Sequence, residues 1–412
     1  MKHLRSLVLC CFVAVLSVSC TTTPKHPAAI PSTSTPSPTE TPAVFGTPTK
    51  TPLPPKLPGG LVVVDSSWIS DNVGWVLGGR GCRGPSCSAL MRTDDGGVHW
   101  RRLSLPPAFV FAKGQYPQGS PTPEIISRIR FANPDVGYAF DPSLFMTLDG
   151  GRTWRRQGAP RSVASLEISQ GNVVRISYPN SGCPGPCNPT VERSQVGSTI
   201  WHHILTPTGY EYAFSVAIRG SNIDVAAFGN PAGGANDAHT SFWRSSDLGA
   251  SWANFDDPCG ESTTGENDAA DFIPVPGHAF IVECRPRGAD ADAFVVESTN
   301  GGASFGVRRL LHVKVTDALA APSVATIAVA YNGNGLGVLV SHDSGRTWRS
   351  TLVVTPAPDS EQPRSFSDSK SVNYFLGFQD ASTARTSFGT AFIWTTRDGG
   401  NTWRRSAPFA GL

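Results

Sequence analysis

The sequence predicts an all-β protein, arranged as a ring of seven four-stranded sheets behind an export signal and a flexible segment. Three observations support this prediction: a short motif recurs six times, its copies lie at regular intervals, and strand-like segments with turns fill those intervals. Glycine and proline number 42 and 35 of 412 residues, which is too much turn chemistry for a helical bundle. The hydrophobic content of 39% excludes a disordered protein.

Residues 1–20 are typical of an export signal. Lys2 and Arg5 precede a short apolar run, Leu7–Val18, which is too short to span a bilayer as a stable helix. Small residues then precede Cys20, in a pattern similar to the bacterial lipobox, whose cysteine is lipidated and begins the mature chain. A serine stands three places before the cysteine, where leucine is usual, so an ordinary cleaved signal remains the alternative.

Residues 21–58 are predicted to be a disordered tether. They contain eleven prolines, ten threonines and three serines in 38 residues, and such a segment cannot bury enough surface to fold. Five basic residues and one acidic residue lie in the first 58 positions, which leaves −2 of the net +2 for the domain at 59–412. A near-neutral domain argues against nucleic acid as a partner.

One motif, which we call the aspartate motif, recurs six times. It consists of a hydroxyl residue, any residue, Asp or Asn, any residue, Gly, any residue, usually Thr or Ser, and an aromatic. Hydroxyl and carboxylate side chains bond nearby backbone amides and glycine permits a positive φ, so the motif predicts a tight loop between two strands. Its acidic positions are Asp95, Asp149, Asp247, Asn300, Asp343 and Asp398, and its aromatic positions are Trp100, Trp154, Trp252, Phe305, Trp348 and Trp403.

The spacing of the motifs predicts a seventh copy. Successive acidic positions are 54, 98, 53, 43 and 55 residues apart, and 98 is twice 49. At the expected place, Ser194–Trp201 keeps the hydroxyl, glycine, threonine and tryptophan but not the aspartate. Cys82 and Cys183 each lie 13 residues before the acidic position of their copy. Seven repeats of four short strands predict a seven-bladed β-propeller, with residues 170–205 as one complete blade.

Six cysteines follow the signal and the lipidated position. An even number in an exported chain favours disulfides, and proximity in sequence favours pairing within three neighbouring couples. A zinc site is the alternative, although no Cys or His pair has finger-like spacing, and we expect no metal. The predicted disulfides are Cys82 with Cys87, Cys183 with Cys187, and Cys259 with Cys284.

The aspartate motif resembles the Asp-box of the bacterial neuraminidase repeat. Over roughly residues 60–412 the chain resembles Asp-box propellers, a group that includes sialidases, xyloglucanases, sortilin-type receptors and photosystem II assembly factors. The Val-Gly-aromatic turn that precedes Asp149–Trp154 looks most like the assembly factors. In these families the box lies on the outer hairpin of a blade, away from the central ligand face, so the resemblance implies that the motif residues are structural.

Catalytic motifs are not evident. A sialidase needs three arginines that clamp a carboxylate, a Tyr–Glu nucleophile pair and an acidic Asp. The nearest string to its first arginine segment, Ser127–Phe131, lacks the proline and the preceding aromatic. We therefore expect no catalytic residues and no cofactor, and a degenerate sialidase-type glycoside hydrolase is the alternative.

Two further features are candidates for binding. Arginine follows the motif aromatic in four copies. These arginines are expected either to protect edge strands from pairing with other chains or to form a patch on the rim for anionic partners. The long insert Pro106–Glu124 carries Phe109, Phe111 and Tyr116, which are candidate contact residues or else pack on the propeller.

These features predict a lipoprotein on the extracytoplasmic face of a bacterial membrane. The membrane is a partner through the lipid, and the propeller is expected to bind or scaffold an envelope protein or glycan without catalysis. An assembly or stability factor for a membrane complex is a further alternative, which the resemblance implies.

We expect that Cys20→Ser releases the protein into the medium, because the substitution removes the only lipid acceptor of the predicted signal. Detergent partitioning and fractionation of cells measure this. Membrane association that is unchanged by the substitution would contradict lipidation at Cys20.

Overall fold

The computed structural model shows a protein whose regular structure consists of β-strands, with no α-helix among the described residues. The predicted seven-bladed β-propeller is confirmed: seven sheets of four or five strands follow one another along the chain. No helix in the described part of the chain has the length and apolarity needed to span a membrane. The structure describes residues 50–52, 60–80, 87–111, 124–158, 162–178, 188–207, 212–229, 239–262, 265–276, 279–286, 292–313, 316–333, 335–355 and 374–410.

The strands are numbered in chain order. They begin with β1 (Lys50–Pro52), followed by blade 1 with β2 (Val62–Trp68), β3 (Gly74–Gly79), β4 (Ser88–Thr93) and β5 (Arg101–Leu103). A two-stranded parallel sheet of β6 (Phe109–Val110) and β7 (Ile125–Ile126) comes next. Blade 2 contains β8 (Arg128–Phe131), β9 (Gly137–Phe140), β10 (Phe145–Thr147) and β11 (Arg155–Arg156), and blade 3 contains β12 (Ser162–Ser169), β13 (Asn172–Tyr178), β14 (Thr190–Gln195) and β15 (His202–Leu205).

The other four blades continue this order. Blade 4 contains β16 (Tyr212–Arg219), β17 (Asn222–Gly229), β18 (His239–Ser245) and β19 (Ala253–Asp256). Blade 5 contains β20 (Glu261–Ser262), β21 (Gly265–Val275), β22 (Ala279–Pro286), β23 (Phe294–Ser298) and β24 (Arg309–Leu310). Blade 6 contains β25 (Thr316–Ala320), β26 (Ile327–Gly333), β27 (Gly335–Ser341) and β28 (Arg349–Thr355), and blade 7 contains β29 (Tyr374–Phe378), β30 (Ala384–Phe388), β31 (Ile393–Thr396) and β32 (Arg404–Ser406).

Every blade is an antiparallel meander whose first long strand lies innermost. The innermost strands β2, β8, β12, β16, β21, β25 and β29 contact one another in that order, and β29 contacts β2, which closes the ring. The last strand of each meander lies outermost. Turns between the first and second strands and between the third and outermost strands therefore share one face of the ring.

Two strand boundaries correct the expectations from sequence. Blade 3 begins at Ser162 rather than at residue 170, because Gln170 and Gly171 form the turn between its first two strands. Lys50–Pro52, expected within the disordered tether, pair in parallel with Val353–Thr355 on the outer edge of blade 6. The outermost strand β28 is seven residues long and so offers backbone groups that an added strand can bond.

The cysteines that the structure describes are all disulfide-bonded. Cys259 and Cys284 form a disulfide with a Cα–Cα distance of 5.5 Å, and both are buried between blades 4 and 5. Cys87 is also disulfide-bonded. The predicted partner of Cys87, both members of the second predicted pair, and the lipidation site lie outside the described residues: Cys82, Cys183, Cys187 and Cys20.

The Val-Gly-aromatic turns pair a glycine with an aromatic across two strands. Gly74 lies opposite Trp68 and Gly137 opposite Phe131. A Cβ atom on Gly137 would lie 2.4 Å from the Phe131 ring, so the ring covers bare backbone there. Held in this way, Phe131 stacks on Trp75 of blade 1, with ring centroids 3.8 Å apart.

Blades 7 and 1 meet at a seam that joins the two ends of the chain. The amide of Val63 donates to the carbonyl of Thr390 at 2.7 Å. Phe409 is buried in a cluster shared by both blades, and a Cβ atom on Gly78 would lie 2.3 Å from its ring. Each of these two blades is built entirely from one end of the chain, so no shared sheet crosses the seam.

A buried arginine replaces the aromatic stack at this seam. Arg385 occupies the second position of β30, as Trp75 does in β3, and its guanidinium lies 3.6 Å from the Trp68 ring centroid. Its Nη2 donates to the carbonyl of Asp71 at 2.7 Å. The side chain is 1% exposed, and burial lowers the pKa of Arg385 to about 10, so it stays charged at neutral pH.

We expect Gly137→Ala to lower the free energy of unfolding by about 1–3 kcal/mol, because the new methyl displaces the Phe131 ring from its stack on Trp75. Denaturant titration measures the change. Gly306→Ala is the matched control, since its Cβ would meet only ordinary contacts at 3.6 Å. Equal effects of the two substitutions would contradict the role given to the aromatic cover.

Candidate functional site

The aspartate motif forms the turn between the third and outermost strands of a blade. In blade 2, Oδ1 of Asp149 accepts from the amides of Arg152 and Thr153 at 3.0 and 2.8 Å. Its Oδ2 accepts from the Thr153 hydroxyl at 2.6 Å. The Thr147 hydroxyl donates to Oδ1 and accepts from the amide of Gly151. The carboxylate is thus fully engaged within its own loop.

Other copies keep this network when the acidic residue changes. Asn300 accepts from the amide of Ser304 at 3.0 Å, and its Nδ2 donates to the Ser304 hydroxyl at 2.8 Å. In blade 3, which lacks the aspartate, the Ser194 hydroxyl donates to the carbonyl of Ile200, and the amide of Gly197 donates to Tyr138 of blade 2. A negative charge is therefore not required for the turn.

The glycine two places after the acidic position of the motif lies against the preceding blade. A Cβ atom on Gly249 would lie 2.9 Å from Ile204, and one on Gly400 would lie 2.9 Å from Val340. The motif indole reaches the same neighbour, since Nε1 of Trp252 donates to the carbonyl of Ile204 at 2.9 Å. Equivalent contacts join Gly151 to Leu103, Gly302 to Phe255, and Gly97 to Ser406 across the seam. The motif is a joint between blades.

These hydrogen bonds make the motif carboxylates strongly acidic. The Thr153 hydroxyl, and then its amide, lower the pKa of Asp149 to about 2. The pKa values of Asp95 and Asp247 are also lowered to about 2 by their own loop residues. Those of Asp343 and Asp398 are lowered as well, because hydrogen bonds outweigh burial. Such groups remain ionised at neutral pH and are poor proton donors.

A cavity of about 860 Å³ lies at the centre of the ring. The innermost strands of all seven blades line it, and no described motif residue does. The cavity therefore lies on the axis of the propeller and is a candidate ligand site. Its lining includes Asp65, Arg128, Arg130, Glu167, Arg219, Ile273, Pro274, Leu319, Phe375 and Phe378.

Blades 1 to 3 give the cavity a charged wall. Nη1 of Arg130 lies 3.0 Å from Oδ2 of Asp65, and its Nε lies 2.9 Å from Oε1 of Glu167. Asp65 also accepts from the amide of Ile129 at 2.8 Å. Burial lowers the pKa of Arg130, but the two carboxylates outweigh burial and raise it overall. Both carboxylates are committed to one guanidinium that ties three blades together.

Two other arginines leave their charge facing the cavity. Arg128 is 4.0 Å from a carboxylate oxygen of Asp141, which already accepts from Ser127 at 2.6 Å. Arg219 is exposed and donates only to the carbonyl of Pro274, at 3.3 Å. These side chains provide the donors that an anionic or carbonyl group of a ligand needs.

Blades 5 to 7 give the cavity an apolar wall. Ile273 and Pro274 of β21 and Phe375 and Phe378 of β29 lie along it, whereas the side chain of Leu319 in β25 is 2% exposed and packs in the core. The phenylalanines are half-buried, so part of each ring faces the cavity. An apolar wall opposite a few charged groups is the usual composition of a ligand site.

The insert residues predicted to make contacts lie elsewhere. Phe111 is 7% exposed and Phe109 is half-buried, and their segment pairs with Ile125–Ile126. The burial of Phe111 agrees with the second of the two alternatives, packing on the propeller. Tyr116 lies outside the described residues.

The described lining of the cavity differs from the sialidase arrangement of three clamping arginines with a tyrosine. Three arginines line it, but Arg130 is occupied by two carboxylates, and none of the described lining residues is a tyrosine. No group of three His, Cys, Asp or Glu side chains within the described ranges is placed to hold a metal ion. The sequence could not identify the lining, because it comes from strands that carry no motif.

Comparisons with known proteins identify the fold. No protein-family model and no curated protein matches the chain. The solved structure "YCF48 bound to D1 peptide" is 16% identical, with a TM-score of 0.51 over 83% of this chain and 95% of that one. An ulvan lyase of polysaccharide lyase family PL25 is 9% identical, with a TM-score of 0.53 over 86% and 94%. At these identities the likeness shows a shared propeller fold.

We expect Asp149→Ala to lower the free energy of unfolding by about 1–2 kcal/mol at neutral pH, since amides of the turn lose their partner while water still reaches them. The difference in the free energy of unfolding between the wild type and this variant should shrink as the pH falls from about 4 to about 2. The unfolded chain binds the proton near pH 3.9, whereas folded Asp149 holds its charge down to about 2. Urea titrations across pH measure both.

Asp149→Asn is the matched control, because Asn300 fills this position in blade 5. It should keep more stability than the alanine variant and leave any ligand binding intact. An alanine variant that melts like the wild type but loses turnover on a sialoside would reverse the structural assignment.

Proposed function

We propose that the protein is a non-catalytic binding propeller that holds a segment of a partner protein in its central cavity. The observation that carries this proposal is the composition of that cavity, with an apolar wall in blades 5 to 7 and accessible arginines in blades 2 and 4. Such a site binds by shape, apolar burial and a few directed polar contacts.

A protein segment fits this composition well. Half-buried Phe375 and Phe378 offer apolar surface to a side chain of the partner, and Arg128 and Arg219 offer donors to a carboxylate or carbonyl. A propeller of similar fold has been solved with a peptide bound, which supports a peptide as the class of ligand. The partner would be another protein of the cell envelope.

Binding without catalysis follows from the state of the charged groups. Glycoside hydrolysis needs one carboxyl group as acid and a second group as nucleophile or base. In the described cavity, Asp65 and Glu167 both bind Arg130, and Asp380 accepts from Ser382 and Thr383 of its own turn. None of these is left free to act on a sugar.

A degenerate sialidase-type hydrolase is the second candidate. The cluster of three arginines in one cavity is the observation that favours it. A scaffold for the assembly or stability of a membrane complex is a narrower form of the first proposal. We also propose that the propeller works at the extracytoplasmic face of a bacterial membrane, held there by a lipid on Cys20.

A photo-crosslinking amino acid at Phe378 should capture a protein partner in cells, and Arg219→Glu should reduce the yield several-fold, because the substitution reverses a charge at the site. The same probe at Ile200, which is 65% exposed on the outer rim of blade 3, is the control and should capture little. Mass spectrometry identifies the crosslinked segment.

Equal capture from both positions would contradict binding in the cavity. Turnover of a sialoside by the wild type, lost in Arg128→Ala at unchanged melting temperature, would establish the hydrolase instead.

A further inference from the structure

Arginines of the outer strands gather on one side of the ring. Between the acidic position of the motif and the end of the outermost strand, blades 6, 7, 1 and 2 carry nine arginines and four aspartates. The same intervals of blades 3, 4 and 5 carry two arginines and two aspartates. The nine, which we call the basic arc, are Arg346, Arg349, Arg404, Arg405, Arg101, Arg102, Arg152, Arg155 and Arg156.

The closure of the ring creates this arc. Blades 6 and 7 come from the end of the chain and blades 1 and 2 from its beginning, and the contact between β29 and β2 makes them neighbours. In the sequence, Arg405 and Arg101 are 304 residues apart. The charge therefore becomes continuous only in the folded protein.

Five of the nine arginines make no ion pair with a described side chain: Arg346, Arg349, Arg404, Arg152 and Arg155. All nine arginine residues are exposed, and the four aspartates of the arc are bonded within their own motifs. Arg101 lies 3.4 Å from Asp94, and Arg156 lies 2.7 Å from Glu124. Arg404 and Arg155 make no side-chain hydrogen bond or ion pair with the described residues.

A cleft of about 700 Å³ lies at the centre of the arc, where blades 7 and 1 meet. Arg397, Arg404 and Arg405 line it together with the half-buried indole of Trp100, and Asp398, whose carboxylate is bonded within its own motif, lines it as well. Arg397 is 3.9 Å from its nearest carboxylate, on Asp71. The cleft thus combines guanidinium donors with an aromatic surface.

We propose that the basic arc binds an anionic polysaccharide, as a second site independent of the central cavity. A carboxylated sugar presents an apolar ring face to Trp100 and an anionic group to the arginines of the cleft. A flexible chain can follow a convex rim over four blades, whereas a flat bilayer touches only part of a convex rim at one time. The extent of the arc therefore favours a polymer over a membrane surface.

Edge protection alone does not account for this distribution. Every blade has an outermost strand, so a device against edge pairing is needed equally all round the ring. The outermost strands of blades 3 and 4 nevertheless carry no arginine. The arginines are instead concentrated on four adjacent blades, which is the distribution expected of a binding surface.

The test uses the full chain and polygalacturonate as the anionic probe, with dextran as the neutral one. We expect binding to polygalacturonate that weakens at least tenfold as salt rises from about 50 to about 200 mM, and no binding to dextran. The double substitution Arg404→Glu with Arg155→Glu should weaken binding at least about tenfold, because both positions reverse their charge. Arg404→Gln with Arg155→Gln should weaken it less.

Arg309→Glu is the control outside the arc, because it reverses one charge, half of the change in the double variant, on the outermost strand of blade 5. It should change binding by less than about twofold, with thermal melts showing that all variants fold. Equal loss from Arg309→Glu, or binding to dextran, would overturn the proposal. Tighter binding to polyglutamate would contradict the polysaccharide and indicate an acidic protein as the ligand of the arc. Tighter binding to vesicles of anionic lipid would indicate a membrane.

Discussion

The contact between the glycine two places after each motif's acidic position and the outer part of the preceding blade determines the arrangement of the ring. At Gly249 and Gly302, any side chain would meet the neighbouring blade within 3 Å. Glycine at this position sets how closely adjacent sheets approach, and the motif carboxylate holds the loop that presents it. Six such joints around a closed ring constrain one another, since the position of each blade depends on both of its neighbours.

The sequence was sufficient to predict the blades because each motif is a local structure. The partners of Asp149 lie within four residues of it, so one short string specifies the turn and the two strands beside it. The central cavity could not be predicted in this way. Arg130 binds Asp65 across 65 residues of chain, and a period-two strand pattern does not show which polar residue faces the axis. The contact between blades 7 and 1 likewise could not be predicted, because it joins residues from opposite ends of the domain.

The residues of the proposed binding sites are not those that hold the ring together. The motif carboxylates are saturated by their own loops and the Arg130 triad by its own charges, so these groups stabilise the ring without offering chemistry. What remains accessible is the apolar wall, Arg128 and Arg219 in the cavity, and the arginines of the rim. The side chains that line the cavity come from the innermost strands, which do not contain the aspartate motif. A fold of this kind can therefore change its ligand by substitution at the axis while its joints stay the same.

The strand Lys50–Pro52 changes how the ring would respond to mechanical load. It pairs with blade 6, whereas the chain enters the ring at Val62 in blade 1, on the other side of blade 7. A pull on the chain before Lys50 reaches the parallel hydrogen bonds to β28 first, and the seam between blades 7 and 1 only afterwards. Among the described residues, that seam is closed by side-chain packing and by the bond from the Val63 amide to the Thr390 carbonyl, with no shared sheet across it. The hydrogen bonds between the added strand and β28 would therefore bear the load before the contacts of the seam do.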